Sequence, residues 1–267
     1  MLTYLYLDYG GLPQYRRELR YSLISLRQDL PPDARIAVYT DAPQVYANWP
    51  VTVVDIGGRV ADWSGGGLYH HRIKPAAVLD ALGRFDGPVC FLDSDSIIQP
   101  GFHAELAGKM GEAVVMNRFE LINPFPPLRG FRTVLPHLGP YRYDVAQSRM
   151  YNSGLIGVGP RHVPVLEDTL AFIDALIGRA RKFPTLEQFA LSEVLRLNAI
   201  PVAEVHETFL HYWQGRRRIY MAHQIEKSLS PDWDDLTPPK EWAQMNYWAI
   251  RAYNYYHGVK SALAWLK

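Results

Sequence analysis

The sequence has little of what marks secreted, membrane-spanning or nucleic-acid-binding proteins. A single cysteine, Cys90, rules out an internal disulfide and favours a reducing compartment. No apolar run reaches the length of about 18 residues that a transmembrane helix needs, and the first residues lack the features of a signal peptide. The net charge is +1, so the chain also lacks the basic field expected of a nucleic-acid-binding domain. These absences predict a cytoplasmic protein with no nucleic-acid partner.

Strand-like and helix-like segments alternate along the chain, which favours an α/β fold with a mostly parallel sheet flanked by helices. The apolar patterns predict strands at 2–7, 35–41, 51–56, 89–92 and 112–117, and helices at 14–30, 71–82, 163–176 and 186–197. Residues 118–149 are dense in proline and glycine, which predicts a long excursion or lid outside the core. The chain then returns to the sheet at 151–159, and the last strand-like piece is 208–215.

The most informative stretch is "PVCFLDSDSIIQP", in which an apolar run stops at Asp93 and Asp95. Ligands bind at the carboxyl ends of strands in open α/β sheets, and alternate residues of an extended chain point the same way. Both carboxylates are therefore expected to face one divalent ion that also binds a substrate diphosphate. A turn capped by aspartate is the plainer alternative. A calcium loop is excluded, because Ile97 and Ile98 stand where that loop needs a ligand and a glycine.

Four segments in order resemble GT-A glycosyltransferases, most nearly the glycogenin and lipopolysaccharide galactosyltransferase type. "FLDSDSI" resembles the Asp-x-Asp motif of that fold, and "YNSGLIGV" resembles its Asn-Ser-Gly loop beside the donor sugar. "LEQFALSEVL" is similar to a helix that opens with an acidic residue and glutamine, and "FLHYWQGRRR" to a C-terminal histidine-glycine-basic segment. The resemblance implies a Rossmann-like GT-A domain over residues 1–220, with a helical extension over 221–267.

The resemblance further implies a metal-dependent enzyme that moves a sugar from a nucleoside diphosphate, with UDP favoured, to a glycan or lipid-linked glycan. The nearest similarity is to retaining enzymes, so retention of the anomeric configuration is favoured. Asp93, Asp95 and His211 would hold the ion, and a histidine ligand favours Mn²⁺ over Mg²⁺. His223 is a rival for the position of His211.

The implied catalytic residues are Glu187 and Gln188, beneath the reacting sugar; the acidic position is more often aspartate in the family. Other residues are implied to contact the donor. These are Asp8 and Tyr9 at the nucleotide, Arg72 and Lys74 near the phosphates, Asp93 at the metal or ribose, Asn152, Ser153 and Gly154 at the sugar, and Gly215 with Arg216 to Arg218 around the diphosphate. Residues 118–149 would contact the acceptor.

Two other classes of function stay open at this stage. A sugar nucleotidyltransferase would be expected to carry a glycine-rich phosphate loop after the first strand, where this chain has only Gly10 and Gly11. A non-catalytic nucleotide-sugar-binding protein would keep the aspartates and lose the group beneath the sugar. Glu187 and Gln188 argue against that second class.

The C-terminal residues 240–267 are rich in aromatic and basic side chains, with apolar residues at helical spacing. A helix packed on the sheet domain or a homodimer seam is the plainer interpretation. The alternative is an interfacial helix that makes peripheral contact with an anionic membrane at its inner face.

Overall fold

A computed structural model describes residues 1–111, 113–121, 128, 130–180, 183–246 and 248–253 of the chain. The helices are α1 (Pro13–Leu26), α2 (Val60–Trp63), α3 (Ile73–Arg84), α4 (Phe102–Lys109), α5 (Val163–Ala180), α6 (Leu186–Leu197) and α7 (Gly215–Ser228). The strands are β1 (Thr3–Asp8), β2 (Arg35–Thr40), β3 (Thr52–Asp55), β4 (Val89–Leu92), β5 (Ser96–Ile98), β6 (Val114–Met116), β7 (Phe119–Leu121), β8 (Arg132–Leu135), β9 (Gly139–Arg142), β10 (Met150–Tyr151), β11 (Leu155–Val158), β12 (Val202–Glu204) and β13 (Phe209–His211).

Seven strands form a central sheet in the order β12-β6-β11-β4-β1-β2-β3. The neighbours pair in parallel except at β11, which runs antiparallel to both β4 and β6. The predicted α/β fold with a mostly parallel sheet is therefore confirmed, and it is compatible with a Rossmann-like arrangement. The predicted strand at 112–117 is shorter, and Glu112 lies outside the described residues.

The apolar run that ends at the two aspartates is a central strand covered on both faces. Val89 and Phe91 of β4 pack in a cluster with side chains of α3, α5 and α6. Cys90 and Leu92 point the other way, into a cluster with α1 and α4. Continuous apolar sequence is what a strand buried on both faces requires, so the sequence pattern and the position of β4 agree.

The direction of the chain across the sheet reverses at β1, which pairs with β2 on one side and with β4 on the other. Such a switch point opens a crevice at the carboxyl ends of the strands. Asp8 ends β1, and Asp93 follows β4 directly. The fold thus brings two of the predicted site residues to one crevice.

The prediction that the excursion lies outside the core is wrong for the part the structure describes. β7 pairs with β10, and β8 pairs with β9 in a hairpin. Phe131 and Tyr141 are buried, with ring centroids 6.0 and 4.6 Å from that of Phe172 in α5. Gly130 and Pro136 lie in turns on either side of β8, but Phe131 and Tyr141 belong to the main core.

The predicted domain boundary at residue 220 falls inside α7. Tyr220 is buried in a small cluster with Tyr21 of α1, whose ring lies 5.1 Å from that of Trp242. Residues 241–246, where the predicted C-terminal helix begins, are not helical, whereas residues 248–253 are. Residues 254–267, half of the predicted segment 240–267, lie outside the described residues. Within the described part of the chain, none of the helices combines the length and apolar character that crossing a bilayer requires.

Candidate active site

A short pair of strands brings the predicted histidine to the predicted aspartates. β5 follows Asp95 immediately and pairs antiparallel with β13, with Ser96 opposite His211. The N–H of Tyr212 donates to the backbone carbonyl of Asp95 at 3.1 Å. The N–H of Asp93 donates to the carbonyl of Gly154 at 2.8 Å, which fixes the other end of the loop.

Asp93, Asp95 and His211 offer one ligand atom each, and these atoms lie within 4.8 Å of one another. His211 Nε2 is 3.2 Å from Asp95 Oδ1 and 3.6 Å from Asp93 Oδ2. Two carboxylate oxygens and one imidazole nitrogen fit Mn²⁺, and with further oxygen ligands Mg²⁺. The rival His223 lies elsewhere, with its ring 5.4 Å from that of Tyr253.

The close approach of the imidazole requires a glycine at position 154. A Cβ added to Gly154 would lie 2.3 Å from His211 Nδ1 and 2.9 Å from the side-chain oxygen of Asn152. No side chain can occupy that space without moving His211. Gly154, which the resemblance implies lies beside the donor sugar, thus makes room for the histidine.

Arg218 approaches the triad from α7. Its Nη1 is 3.1 Å from Asp95 Oδ2, and its other nitrogens bind both carboxylate oxygens of Glu18. Burial alone would raise the pKa of Asp95, but its contacts with His211 and with the guanidinium of Arg218 outweigh burial and lower this pKa to about 2. Asp95 therefore stays ionised, with Oδ1 turned toward His211.

Lys74 is buried between two groups of side chains, one formed by Asp93, Asp95 and His211 and the other by Glu187 and Gln188. Its Nζ is 3.0 Å from Asp93 Oδ2, 3.2 Å from the carbonyl of Ser153 and 3.8 Å from Glu187 Oε1. Burial lowers the pKa of Lys74, but the carboxylates of Asp93 and Glu187 outweigh burial, and the pKa is raised. The side chain is thus a fixed positive charge.

Glu187 and Gln188 open α6 on the other side of Lys74, and both are buried. Glu187 accepts hydrogen bonds from Tyr69 at 2.6 Å and from Ser153 Oγ at 3.0 Å, one at each oxygen. Gln188 Nε2 donates to Glu120 at 2.8 Å. Burial and the adjacent Glu187 raise the pKa of Tyr69, which keeps its hydroxyl a donor. Glu187 and Gln188 are therefore held in fixed orientations by these hydrogen bonds.

These side chains line one open cavity of about 690 Å³ at the switch point of the sheet. Tyr9, predicted to contact the nucleotide, donates to the carbonyl of His70, and burial raises its pKa to about 12. The predicted residues that line the cavity are Asp8, Tyr9, Lys74, Asp93, Asp95, Asn152, Ser153, Gly154, Glu187, Gln188, His211 and Arg218.

Arg72 does not take its predicted place near the phosphates. Its guanidinium binds Asp174 in α5, with distances of 2.6 and 2.9 Å, and the carbonyl of Trp63 at 3.1 Å. Residues two apart at the start of a helix face different sides. Lys74 consequently points into the cavity while Arg72 points away from it.

Gly215 and Arg216 likewise lie outside the cavity lining, and both are exposed at the start of α7. Only Arg218, further into that helix, faces α1 and the site. The structure thus brings Arg218 to the cavity and leaves Gly215, Arg216 and Arg217 outside its lining, and the contact of these three with a diphosphate stays a prediction. The helix places successive side chains around its axis, so the three arginines face different sides.

The residues that the sequence did not predict include Glu120 and Trp213, which line the cavity, and Tyr69, which binds Glu187 without lining it. Trp213 lies two positions after His211, which is a signal the sequence offered. Glu120 lies in β7, within the segment 118–149 that the sequence analysis predicts to contact the acceptor. Tyr69 reaches Glu187 from 118 residues away in the chain, and no local pattern predicts that contact.

No protein-family model matches this chain, and a comparison with curated proteins finds no match. What the chain can do is therefore inferred from the chemistry of its cavity.

Proposed function

We propose that the protein is a metal-dependent glycosyltransferase of the GT-A type. It would transfer a sugar from a nucleoside diphosphate, with UDP favoured, to a hydroxyl of a glycan or lipid-linked glycan. The observation that carries this proposal is the convergence of Asp93, Asp95 and His211 in a cavity that Glu187 and Gln188 also line. The donor set favours Mn²⁺, because histidine is a better ligand for Mn²⁺ than for Mg²⁺.

Sugar transfer breaks the bond between the anomeric carbon and the diphosphate, so negative charge grows on the leaving group. A bound divalent ion would neutralise part of that charge. Lys74 adds a fixed ammonium on the same side of the cavity, 3.0 Å from Asp93. Preorganised charges of this kind stabilise a transition state without reorganisation at the moment of reaction.

Glu187 suits electrostatic support of a positively charged sugar better than nucleophilic attack. Both its oxygens already accept hydrogen bonds, from Tyr69 and from Ser153. A carboxylate held in this way keeps its charge and its position while the sugar gains oxocarbenium character. The neighbouring Gln188 is held by Glu120 and can orient the sugar through its remaining amide hydrogen.

The mouth of the cavity suits an acceptor with apolar faces. Leu12, Tyr15 and Trp213 line it and are 51%, 40% and 39% exposed. Exposed apolar and aromatic side chains beside polar groups are typical of ligand sites. A sugar ring or the lipid part of a lipid-linked glycan would cover them.

Product analysis tests the proposal against its two alternatives. The protein would be incubated with UDP- and GDP-sugars, Mn²⁺ and a panel of glycan and lipid-linked acceptors. Release of nucleoside diphosphate together with a lengthened acceptor is the expected result. Formation or consumption of pyrophosphate would instead identify a nucleotidyltransferase. Tight binding of a nucleotide sugar with no turnover on any acceptor would favour a non-catalytic binding protein.

A further inference from the structure

Asn152 is buried between the metal-ligand candidates and the residues beneath the sugar. Its Nδ2 donates to Glu120 Oε1 at 2.8 Å, and its Oδ1 accepts from the N–H of Gly154 at 2.9 Å. A carboxylate only accepts and a backbone N–H only donates. These two partners therefore fix which end of the amide faces His211, and that end is the oxygen.

The orientation of Asn152 determines where His211 carries a proton. Asn152 Oδ1 lies 2.9 Å from His211 Nδ1. Because an amide oxygen can only accept, Nδ1 must hold a proton and donate it. Nε2 is the nitrogen that faces Asp93 and Asp95, 3.2 Å from Asp95 Oδ1, and a divalent ion bound there would take its lone pair in place of a proton shared with Asp95.

We infer that Asn152 is a positioning residue that fixes the Nδ1–H form of His211 and so leaves Nε2 available to a divalent ion. The identity of that ion rests on the proposed function. Metal-binding histidines are oriented in this way by a partner at the second ring nitrogen. The two lone pairs of Asn152 Oδ1 are used by Gly154 and His211, so this oxygen has none for a sugar hydroxyl.

Glu120 extends this arrangement to the other half of the site. One of its oxygens accepts from Asn152, and the other accepts from Gln188 Nε2, each at 2.8 Å. The same carboxylate thus holds the residue that orients the histidine and the residue expected beneath the sugar. A change at Glu120 is expected to affect both.

Asn152→Leu tests the inference, because it removes the acceptor with little change in size. In this variant, Nε2 is expected to hold the proton and donate it to Asp95, which leaves Nδ1 bare. Nitrogen-15 NMR of the metal-free protein reads the protonation of each ring nitrogen. Titration with Mn²⁺ alone, followed by electron paramagnetic resonance, should show affinity lowered by about 10- to 100-fold.

A double exchange, Asn152→Asp with Glu120→Gln, tests the same contact in a variant that keeps the hydrogen bonds of positions 152 and 120. The new carboxylate would accept from Gly154, His211 and the new amide, and the new amide oxygen would accept from Gln188. Recovery of the Nδ1 proton and of Mn²⁺ affinity is expected. Asn198→Leu, at the exposed end of α6, is the matched control and should change neither readout.

The outcomes separate this inference from the proposed function. An Asn152→Leu protein that keeps both the Nδ1 proton and wild-type Mn²⁺ affinity would overturn the inference and leave the metal site intact. A bare Nδ1 in the wild type would also overturn it. If the wild type bound no Mn²⁺, the proposed function would fail, and the NMR comparison would still decide the role of Asn152. If Asn152→Leu does not fold, a double exchange lacking the Nδ1 proton would overturn the inference.

Discussion

The two halves of the cavity differ in how their polar groups are satisfied. On one side, Asp93 Oδ2, Asp95 Oδ1 and His211 Nε2 converge on one another, and Lys74 also contacts Asp93 Oδ2. On the other side, Glu187 has a separate donor at each oxygen, and one hydrogen of Gln188 is already bound. Converging ligand atoms favour a cation between them, whereas satisfied groups favour rigidity. The first half is therefore suited to bind, and the second to hold its geometry during reaction.

The largest effect is expected from Asp95→Asn, which breaks the first half and leaves the second intact. The substitution removes a charged ligand at constant size. Transfer should fall by at least about 100-fold, because the leaving diphosphate loses its stabilising charge. Steady-state kinetics with and without added Mn²⁺ measures this. Activity that still rises with Mn²⁺ as in the wild type would remove Asp95 from the metal site.

Glu187→Gln changes the second half of the cavity, the side with Glu187 and Gln188. It keeps the shape of the side chain and removes its charge. The turnover number should fall by about 100-fold, because a positioned charge near the sugar is lost. Mn²⁺-dependent affinity for UDP should stay close to that of the wild type, since UDP lacks the sugar. Equal losses in turnover and in UDP affinity would mean that the two halves are not separate.

A smaller effect is expected from Tyr69→Phe, which removes one donor from Glu187 and keeps the ring. Tyr69 also contacts the carbonyl of Pro184 at 3.0 Å. Because the carboxylate keeps Ser153 and Lys74 as neighbours, a loss of about 1–3 kcal/mol in transition-state stabilisation or folding stability is expected. Steady-state kinetics measures a loss of transition-state stabilisation, and urea unfolding measures a loss of folding stability. No change in either would show that this short hydrogen bond has no energetic role.

The smallest effect is expected from Arg72→Leu. Arg72 lies outside both halves of the cavity, so this variant serves as a reference for substitutions within them. Its ion pair with Asp174, whose side chain is 49% exposed, should contribute at most about 1 kcal/mol to stability. Activity and UDP affinity should be unchanged. Lys74→Leu is the contrasting variant and should reduce turnover strongly. A large loss of UDP affinity in Arg72→Leu would restore the predicted phosphate contact.

The strands of the central sheet could be predicted because burial on both faces leaves a continuous apolar signature, as in β4. The convergence of Asp93, Asp95 and His211 could be predicted because Asp93 and Asp95 are local and the resemblance supplied His211. Glu120 and Tyr69 could not, since their contacts with Asn152, Gln188 and Glu187 join segments distant in the chain. Arg72 could not be distinguished from Lys74, because the resemblance implies both near the phosphates and the sequence does not tell which of two nearby basic residues faces the cavity.

The central claim is that Asp93, Asp95 and His211 hold a divalent ion that ties a nucleoside diphosphate to the cavity. Calorimetric titration of the wild-type protein with UDP, with and without Mn²⁺, tests it most directly. The account predicts binding that strengthens markedly with Mn²⁺ and loses this dependence in Asp95→Asn. UDP affinity that is the same with and without Mn²⁺, or no binding of UDP at all, would contradict it.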